Sequence, residues 1–181
     1  MKIGITRMYK EIADLIGLED YEIVNPYKEK CNCDFLIISK GYKDKVRRLN
    51  PNVEIFEVKS ATFKDLIESL EELRKLGIGD EEKINNSIEF LKNKEKKIKK
   101  LAKDLNVEVN PKTEFVKKIV EDLGIKISNK GIIIIPDYLN KNYSNAIILK
   151  THNYDLGLVE RIEDRYLQII NNLRDFYERT Y

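Results

Sequence analysis

The sequence predicts an α/β protein: an open, mainly parallel sheet of Rossmann-like βα units, a long spine helix, and a smaller C-terminal α/β portion. Two observations predict this fold. Short apolar runs alternate with amphipathic helical stretches through residues 2–78, as is typical of a parallel sheet with right-handed crossovers. A long helical pattern follows, and the alternation then resumes. The predicted segments are therefore 1–79, 80–106 and 107–181.

The first segment is predicted to contain four strands and three helices. The strands are expected at 2–6, 21–26, 34–39 and 53–58, and the helices at 8–18, 42–50 and 63–78. The run DFLIIS at 34–39 is apolar almost throughout, as in strands covered on both faces. Thr62 is the predicted N-cap of the last helix, with Asp65 as its capping-box partner, and Gly17 and Gly77 lie near helix ends.

The spine helix is predicted at 81–106, capped by Asp80, with its apolar side chains in one narrow stripe. Residues 92–103 hold seven lysines and one glutamate. We interpret this run as a solvated helix face, and binding of an anionic partner is the alternative. A homodimer or another protein partner that docks on helix 80–106, or on the C-terminal helix at 158–177, is a further hypothesis.

The C-terminal portion is predicted to begin with a helix at 110–125, for which Asn110 and Thr113 are competing N-caps. Strands follow at 130–139 and 145–151, and a helix at 158–177 closes the chain. The pattern leaves open whether these strands extend the first sheet or form a separate one. No internal repeat is recognisable.

Composition bounds the classes of function. The chain has 181 residues, with 33 basic and 31 acidic side chains and a net charge of +2, so we expect no nucleic-acid partner. The P-loop and G-x-G-x-x-G patterns are absent, which argues against nucleotide binding by those motifs. No apolar run is long enough for a signal peptide or a membrane span, so a cytoplasmic protein without a membrane partner is expected. The charged fraction of 35% is typical of heat-adapted proteins.

Cys31 and Cys33 are the only cysteines and are separated by one residue. That spacing and a reducing cytoplasm both disfavour a disulfide. Zinc usually takes four ligands, and the sequence offers no second cysteine pair or histidine cluster. We therefore predict buried or half-buried thiols and no metal site, with a ligand role as the alternative.

Polar side chains follow the predicted strands, where ligands bind in open α/β sheets. Arg7 follows the first strand, Ser39 and Lys40 follow the third, and Lys59 and Ser60 follow the fourth. Other strand-end positions are Thr6, Asn25, Tyr27, Tyr42, Thr62, Tyr138, Thr151 and Asn153. Basic side chains with hydroxyls at one rim suit a carboxylate- or phosphate-bearing ligand. We predict a site for an anionic small molecule, with ordinary solvent-exposed loops as the alternative.

His152 is the only histidine and lies at the predicted end of the last strand. Because histidine titrates near neutrality, an enzyme that uses His152 and Asp137 as acid and base is an alternative function. No serine or cysteine nucleophile is identifiable beside His152, so no catalytic triad can be assembled. A capping or loop-structuring histidine is the more ordinary interpretation.

Residues 31–79, CNCDFLIISKGYKDKVRRLNPNVEIFEVKSATFKDLIESLEELRKLGIG, resemble the first lobe of metal-chelate and cobalamin-type periplasmic binding proteins. Those lobes carry an Asp before an apolar run, then a short helix, an apolar strand, a helix and Leu-Gly. A long helix usually follows as a rigid spine, so the resemblance covers roughly the first 106 residues. It implies a binding or assembly protein for an anionic small molecule or a carboxylate-rich cofactor such as a tetrapyrrole.

Two features depart from that family. The chain lacks an export signal, and the residues after 106 are too few for a usual second lobe, so a cytoplasmic, shortened relative is expected. The composition and the C-terminal half also resemble the methanogenesis marker proteins. That second resemblance implies a link to methanogenesis or its cofactors without naming an activity.

Overall fold

A computed structural model describes residues 1–139 and 141–179 of the chain. The chain forms two compact units, one ending at Lys92 and one beginning at Asn93, and the boundary falls within one long helix. Each unit contains a four-stranded sheet whose strands all run parallel. These sheets, with their helices, confirm the predicted α/β class.

The first unit holds a sheet in the order β2-β1-β3-β4. The strands span Ile3–Thr6 (β1), Glu22–Val24 (β2), Phe35–Ser39 (β3) and Glu54–Val58 (β4), and the helices span Glu11–Ile16 (α1), Lys43–Leu49 (α2) and Phe63–Lys75 (α3). The long helix that leads into the second unit spans Glu81–Leu101 (α4). Every residue of β1 and β3 is buried, which fits the apolar runs that predicted these strands.

Helix ends in the first unit follow the predicted signals, with one exception. The Thr62 hydroxyl accepts a hydrogen bond from the Asp65 N–H at 3.0 Å, and Gly17 takes a left-handed φ of 66° at the end of α1. The stretch predicted as one helix at 8–18 is instead a 3-10 turn at Arg7–Tyr9 followed by α1. The turn places Tyr9 in the core, where its hydroxyl lies 3.2 Å from Ser60 Oγ.

The spine helix begins as predicted and ends early. Asp80 Oδ1 accepts the Lys83 N–H at 2.8 Å, which confirms Asp80 as the N-cap. The helix ends at Leu101 rather than near residue 106. The next turn tightens, because the Ala102 N–H bonds to the Lys99 carbonyl at 3.2 Å, a bond of the 3-10 type.

The second unit contains a separate sheet in the order β6-β5-β7-β8, so the last two strands do not extend the first sheet. The strands span Glu108–Pro111 (β5), Lys126–Ile127 (β6), Ile132–Pro136 (β7) and Ile147–Leu149 (β8), and the helices span Glu114–Asp122 (α5) and Leu158–Arg179 (α6). The predictions missed β5 and β6, which are only four and two residues long. Thr113 is the N-cap of α5, since its hydroxyl accepts the Val116 N–H, whereas Asn110 lies in β5.

The two sheets have the same strand order, although no repeat is visible in the sequence. In each, the first strand is central, the second pairs on one side of it and the third on the other. Residues 128–131 therefore carry the chain across β5. Gly131 lies against that strand so closely that a Cβ there would be 2.5 Å from Val109 N, which only glycine permits.

None of the helices among the described residues is long and apolar enough to cross a membrane.

Candidate functional site

A cleft of about 680 Å³ opens at the carboxyl ends of β1, β2 and β3. From β1 the chain first adds β2 on one side and then adds β3 and β4 on the other side, so the topological switch point of the sheet lies between β1 and β3. Ligands of open α/β sheets bind at such switch points. The polar residues that line the cleft are Thr6, Arg7, Asn25, Lys28, Glu29, Ser39 and Lys45. The apolar and aromatic residues that line it are Met8, Ile23, Val24, Tyr27 and Tyr42. The volume lies within the usual range of small-molecule sites.

Thr6, the last residue of β1, lines this cleft and has an unpartnered hydroxyl. Its side chain is 4% exposed, and Thr6 Oγ1 has no hydrogen-bond partner within residues 1–139 and 141–179. Most buried hydroxyls in native proteins are paired, because leaving one unpaired costs about 1–3 kcal/mol. Because Thr6 also lines the cleft, this buried unpaired oxygen is a candidate partner for a bound molecule.

Two tyrosines form an aromatic wall of the cleft. The rings of Tyr27 and Tyr42 meet edge to face, with centroids 5.3 Å apart and an interplanar angle of 67°. The Tyr27 hydroxyl accepts a hydrogen bond from the Ser39 N–H at 3.2 Å, which ties the ring to the end of β3. Tyr42 is 49% exposed, so its ring can contact a ligand.

The charged lining of the cleft is mainly cationic. Arg7 lies in the turn directly after β1, Lys28 in the segment after β2, and Lys45 in the first turn of α2. Glu29 is the one carboxylate in the described lining. Guanidinium and ammonium groups beside hydroxyl donors are the usual partners of carboxylate and phosphate oxygens.

The structure brings together two of the five predicted ligand-binding residues. Arg7 and Ser39 line the cleft, whereas Lys40, Lys59 and Ser60 lie outside the described lining. The backbone N–H and carbonyl of Lys59 both bond to Ser69 Oγ, at 3.0 and 3.1 Å, and Ser60 pairs with the Tyr9 hydroxyl.

The backbone of the loop after β3 donates hydrogen bonds to a glutamate of β4. Glu57 Oε2 accepts hydrogen bonds from the N–H groups of Gly41 and Lys43. Those backbone donors are therefore not directed at the cleft. The basic residues that sequence reasoning missed are Lys28 and Lys45, which follow no strand directly and so carried no positional signal.

The two candidate acid–base residues lie at the carboxyl end of the second sheet, joined by a threonine. Asp137 follows β7, and Thr151 and His152 follow β8. Thr151 Oγ1 lies 2.6 Å from Asp137 Oδ1 and 2.8 Å from His152 Nδ1. The ring of His152 has Tyr138 and Tyr154 as aromatic neighbours, with centroids 6.3 and 6.0 Å away.

The two thiols belong to the core of the first unit. Cys31 and Cys33 are free and buried, and Cys31 packs with Val46 and Val53. Burial raises the pKa of both thiols, and the neighbouring Cys33 thiol raises the pKa of Cys31 further. Among the described residues, no group of three or more His, Cys, Asp or Glu side chains is arranged to hold a metal ion.

Solved structures share this fold at low sequence identity, and two of them are described with a bound metal ion. The solute-binding protein FpvC of Pseudomonas aeruginosa, in complex with Ni²⁺, matches with a TM-score of 0.65 and 11% identity, over 97% of each chain. A Cd-bound periplasmic metal-binding protein from Candidatus Liberibacter asiaticus matches with a TM-score of 0.64 and 10% identity, over 96% of this chain and 100% of that one. ZnuA matches with a TM-score of 0.58 and 8% identity, over 94% and 98%.

The fold therefore places the chain in the structural class of solute-binding-protein-like α/β proteins. This confirms the predicted resemblance at the level of fold and corrects it in extent. The resemblance was expected to stop near residue 106, and a usual second lobe was not expected. Instead the similarity continues through the second unit, because β5 and β6 complete a second four-stranded sheet.

Sequence comparison identifies the family. Residues 4–95 match the MJ0786 family N-terminal domain, and residues 105–178 match the MJ0786 family C-terminal domain. The uncharacterized protein MJ0786 of Methanocaldococcus jannaschii is 75% identical over 181 residues, which cover 99% of this chain and 97% of that protein. The chain belongs to the MJ0786 family. The predicted likeness to methanogenesis marker proteins finds no support in these matches.

Proposed function

We propose that this protein is a binding protein that holds a small anionic molecule in the cleft at the carboxyl ends of β1, β2 and β3. The observation that carries the proposal is the buried, unpartnered hydroxyl of Thr6 beside the guanidinium-bearing residue Arg7. The proposed anionic group accepts hydrogen bonds from Thr6 Oγ1 and from Arg7. Lys45 adds positive charge, and the aromatic wall of Tyr27 and Tyr42 contacts the ligand body.

The ligand class comes from the cleft and not from the proteins of similar fold. Those proteins are described as binding Ni²⁺ or Cd²⁺, at 11% and 10% identity. Oxygen, nitrogen and sulfur donors that hold such ions come mainly from carboxylates, imidazoles and thiolates. The cleft instead offers three cationic side chains and one carboxylate, Glu29, which favours an anion. A cytoplasmic location, and association through α4 or α6, stay predictions that this proposal does not require.

The cationic residues are tested by titration calorimetry, with inorganic phosphate and citrate as separate probes. The variant Arg7→Ala/Lys45→Ala is compared with Lys64→Ala/Lys75→Ala, which removes the same charge from exposed positions of α3. A hydrogen bond to a charged group contributes about 1.5–3 kcal/mol, so the first variant is expected to lose roughly tenfold or more in affinity. Equal affinities of the two variants for both probes would exclude this cleft as the site.

Thr6→Val separates binding from folding. The substitution removes the hydroxyl and keeps the shape of the side chain, so it also removes the unpaired buried oxygen. We expect anion affinity to fall while the free energy of unfolding stays the same or rises. If Thr6→Val unfolds more readily and binds the probe as tightly as the wild type, the hydroxyl stabilises the fold and does not serve a ligand.

A further inference from the structure

Hydrogen bonds link Asp137, Thr151 and His152 in the second unit, and they determine which ring nitrogen of His152 carries the proton. An ionised carboxylate can only accept, so the single proton of the Thr151 hydroxyl, 2.6 Å from Asp137 Oδ1, is donated to Asp137. Thr151 Oγ1 then offers only a lone pair to His152 Nδ1 at 2.8 Å. Nδ1 therefore carries the proton of the neutral imidazole, and Nε2 is left with its lone pair.

Burial makes this arrangement selective for one tautomer. Thr151 is 2% exposed, so water competes little for its hydroxyl. The Thr151 N–H also donates to Asp137 Oδ1, at 3.3 Å, which holds the carboxylate in place. His152 is exposed, and the rings of Tyr138 and Tyr154 lie beside its imidazole.

We propose that His152 is the proton-accepting residue of a second ligand site, for a small molecule that carries an O–H or N–H donor. The ligand donor gives its hydrogen bond or its proton to Nε2. If the proton is transferred, the imidazolium keeps its Nδ1–H bond to Thr151, and the Asp137 carboxylate stabilises the positive charge through that hydroxyl. Thr151 and Asp137 are positioning residues, and the Tyr138 and Tyr154 rings offer apolar surface next to the imidazole.

The position in the fold agrees with this role. Asp137 follows β7 and His152 follows β8, at the carboxyl edge of a parallel sheet with the same strand order as the first one. Ligands of open parallel sheets bind at that edge. The cleft proposed above for an anionic ligand, at the carboxyl ends of β1, β2 and β3, is called the anion cleft. The His152 site differs from it in chemistry, because it presents an acceptor nitrogen and not a cationic rim.

Nitrogen NMR of histidine-labelled protein tests the tautomer directly, because the chain has a single histidine and gives a single pair of ring signals. At a pH where the imidazole is neutral, we expect the Nδ1–H tautomer in the wild type. In Thr151→Val the hydroxyl is lost, and the ring should revert to the Nε2–H tautomer that predominates in free histidine. Thr151→Ser, which keeps the hydroxyl, should keep the wild-type signals.

Reaction with diethyl pyrocarbonate tests whether Nε2 is an accessible basic nitrogen. The Nε2 lone pair attacks the carbonyl carbon, ethyl carbonate leaves, and the Nδ1 proton is released. The rate at Nε2 of His152 should fall in Thr151→Val, because a smaller fraction of the neutral rings then carries its lone pair on Nε2. Thr151→Ser should react at the wild-type rate, and thermal melting identifies any variant that fails to fold.

Two results would overturn the proposal. A wild-type ring in the Nε2–H form would mean that Thr151 does not hold the proton on Nδ1. An Nδ1–H ring that is unchanged in folded Thr151→Val, with an unchanged rate of acylation, would remove Thr151 and Asp137 from any role in positioning His152.

Discussion

The side-chain amide of Gln168 pairs with the backbone of Lys150 as a neighbouring strand would. Gln168 Oε1 accepts the Lys150 N–H, and Gln168 Nε2 donates to the Lys150 carbonyl, both at 2.9 Å. Lys150 directly follows β8, an edge strand of the second sheet. Edge strands present unpaired backbone groups that can recruit another chain, and here a side chain of α6 occupies two of them.

Replacing Gln168 with Ala should therefore weaken the second unit. Three hydrogen bonds are lost, the two to Lys150 and one from Gln168 Nε2 to Asp164 Oδ2 at 2.7 Å, so we expect the free energy of unfolding to fall by about 1–2 kcal/mol in urea denaturation. Asn171→Ala, at an exposed position of the same helix, is the matched control and should change stability little. Equal stabilities of the two variants would show that water replaces Gln168 at no cost.

Gly131→Ala should disrupt the packing of residues 128–131, which cross β5 between β6 and β7. A Cβ at this position would lie 2.5 Å from Val109 N and 2.6 Å from Glu108 C, both rigid backbone atoms of the strand region. Overpacking of this kind costs about 1–3 kcal/mol, and a contact with backbone belongs at the upper end of that range. Urea denaturation measures the loss.

Gly124→Ala is the comparison for that experiment. Gly124 has a φ of +72° and open space around its Cβ position, so its variant bears only the cost of left-handed backbone, about 1–2 kcal/mol. If Gly131→Ala is no less stable than Gly124→Ala, the crossing segment can move away from β5 and the close approach is not required.

Local signals predicted much of this fold, and long-range contacts account for what they missed. Thr62 and Gly17 act within one helical turn, and the buried run at 34–39 depends only on its own composition, so each was readable from the sequence. The anion cleft depends on which strands become neighbours. Arg7 and Ser39 were predicted from strand ends, whereas Lys45 joins them only because β3 lies beside β1.

The same limit applies to the second unit. His152 and Asp137 were predicted as an acid and base pair, but Thr151 as the link between their side chains follows from the pairing of β7 with β8. Strand β6 has two residues, too few to show any periodicity. Its existence follows from the register with β5, which no local pattern encodes.

Asn50 should anchor the segment between β2 and β3 that lines the anion cleft. Its side chain is 1% exposed, Oδ1 accepts the Cys31 N–H at 2.7 Å, and Nδ2 donates to the carbonyls of Pro26 and Glu29 at 3.4 Å. Asn50→Ala removes the partner of the buried Cys31 N–H and of the buried Pro26 carbonyl, so we expect a loss of about 2–3 kcal/mol in the free energy of unfolding.

Hydrogen exchange locates the effect of that substitution. In Asn50→Ala, the amides of residues 27–31 should exchange faster than in the wild type, and anion affinity should fall because Lys28 loses its support. Asn52→Ala, at an exposed position two residues away, is the control. Unchanged exchange across 27–31 would contradict a role for Asn50 as the anchor.

The buried thiols should make the protein less stable at alkaline pH. Burial raises the pKa of Cys31 and Cys33, so the folded state holds its thiol protons at a pH where the unfolded chain, with a pKa of about 8.5, releases them. The stability that these protons contribute is present below that value and is lost as pH rises through the folded pKa. Urea denaturation between neutral and alkaline pH measures the decline. Cys31→Ala/Cys33→Ala should lack this part of the decline. Parallel curves for the variant and the wild type would show that the thiols ionise alike in both states.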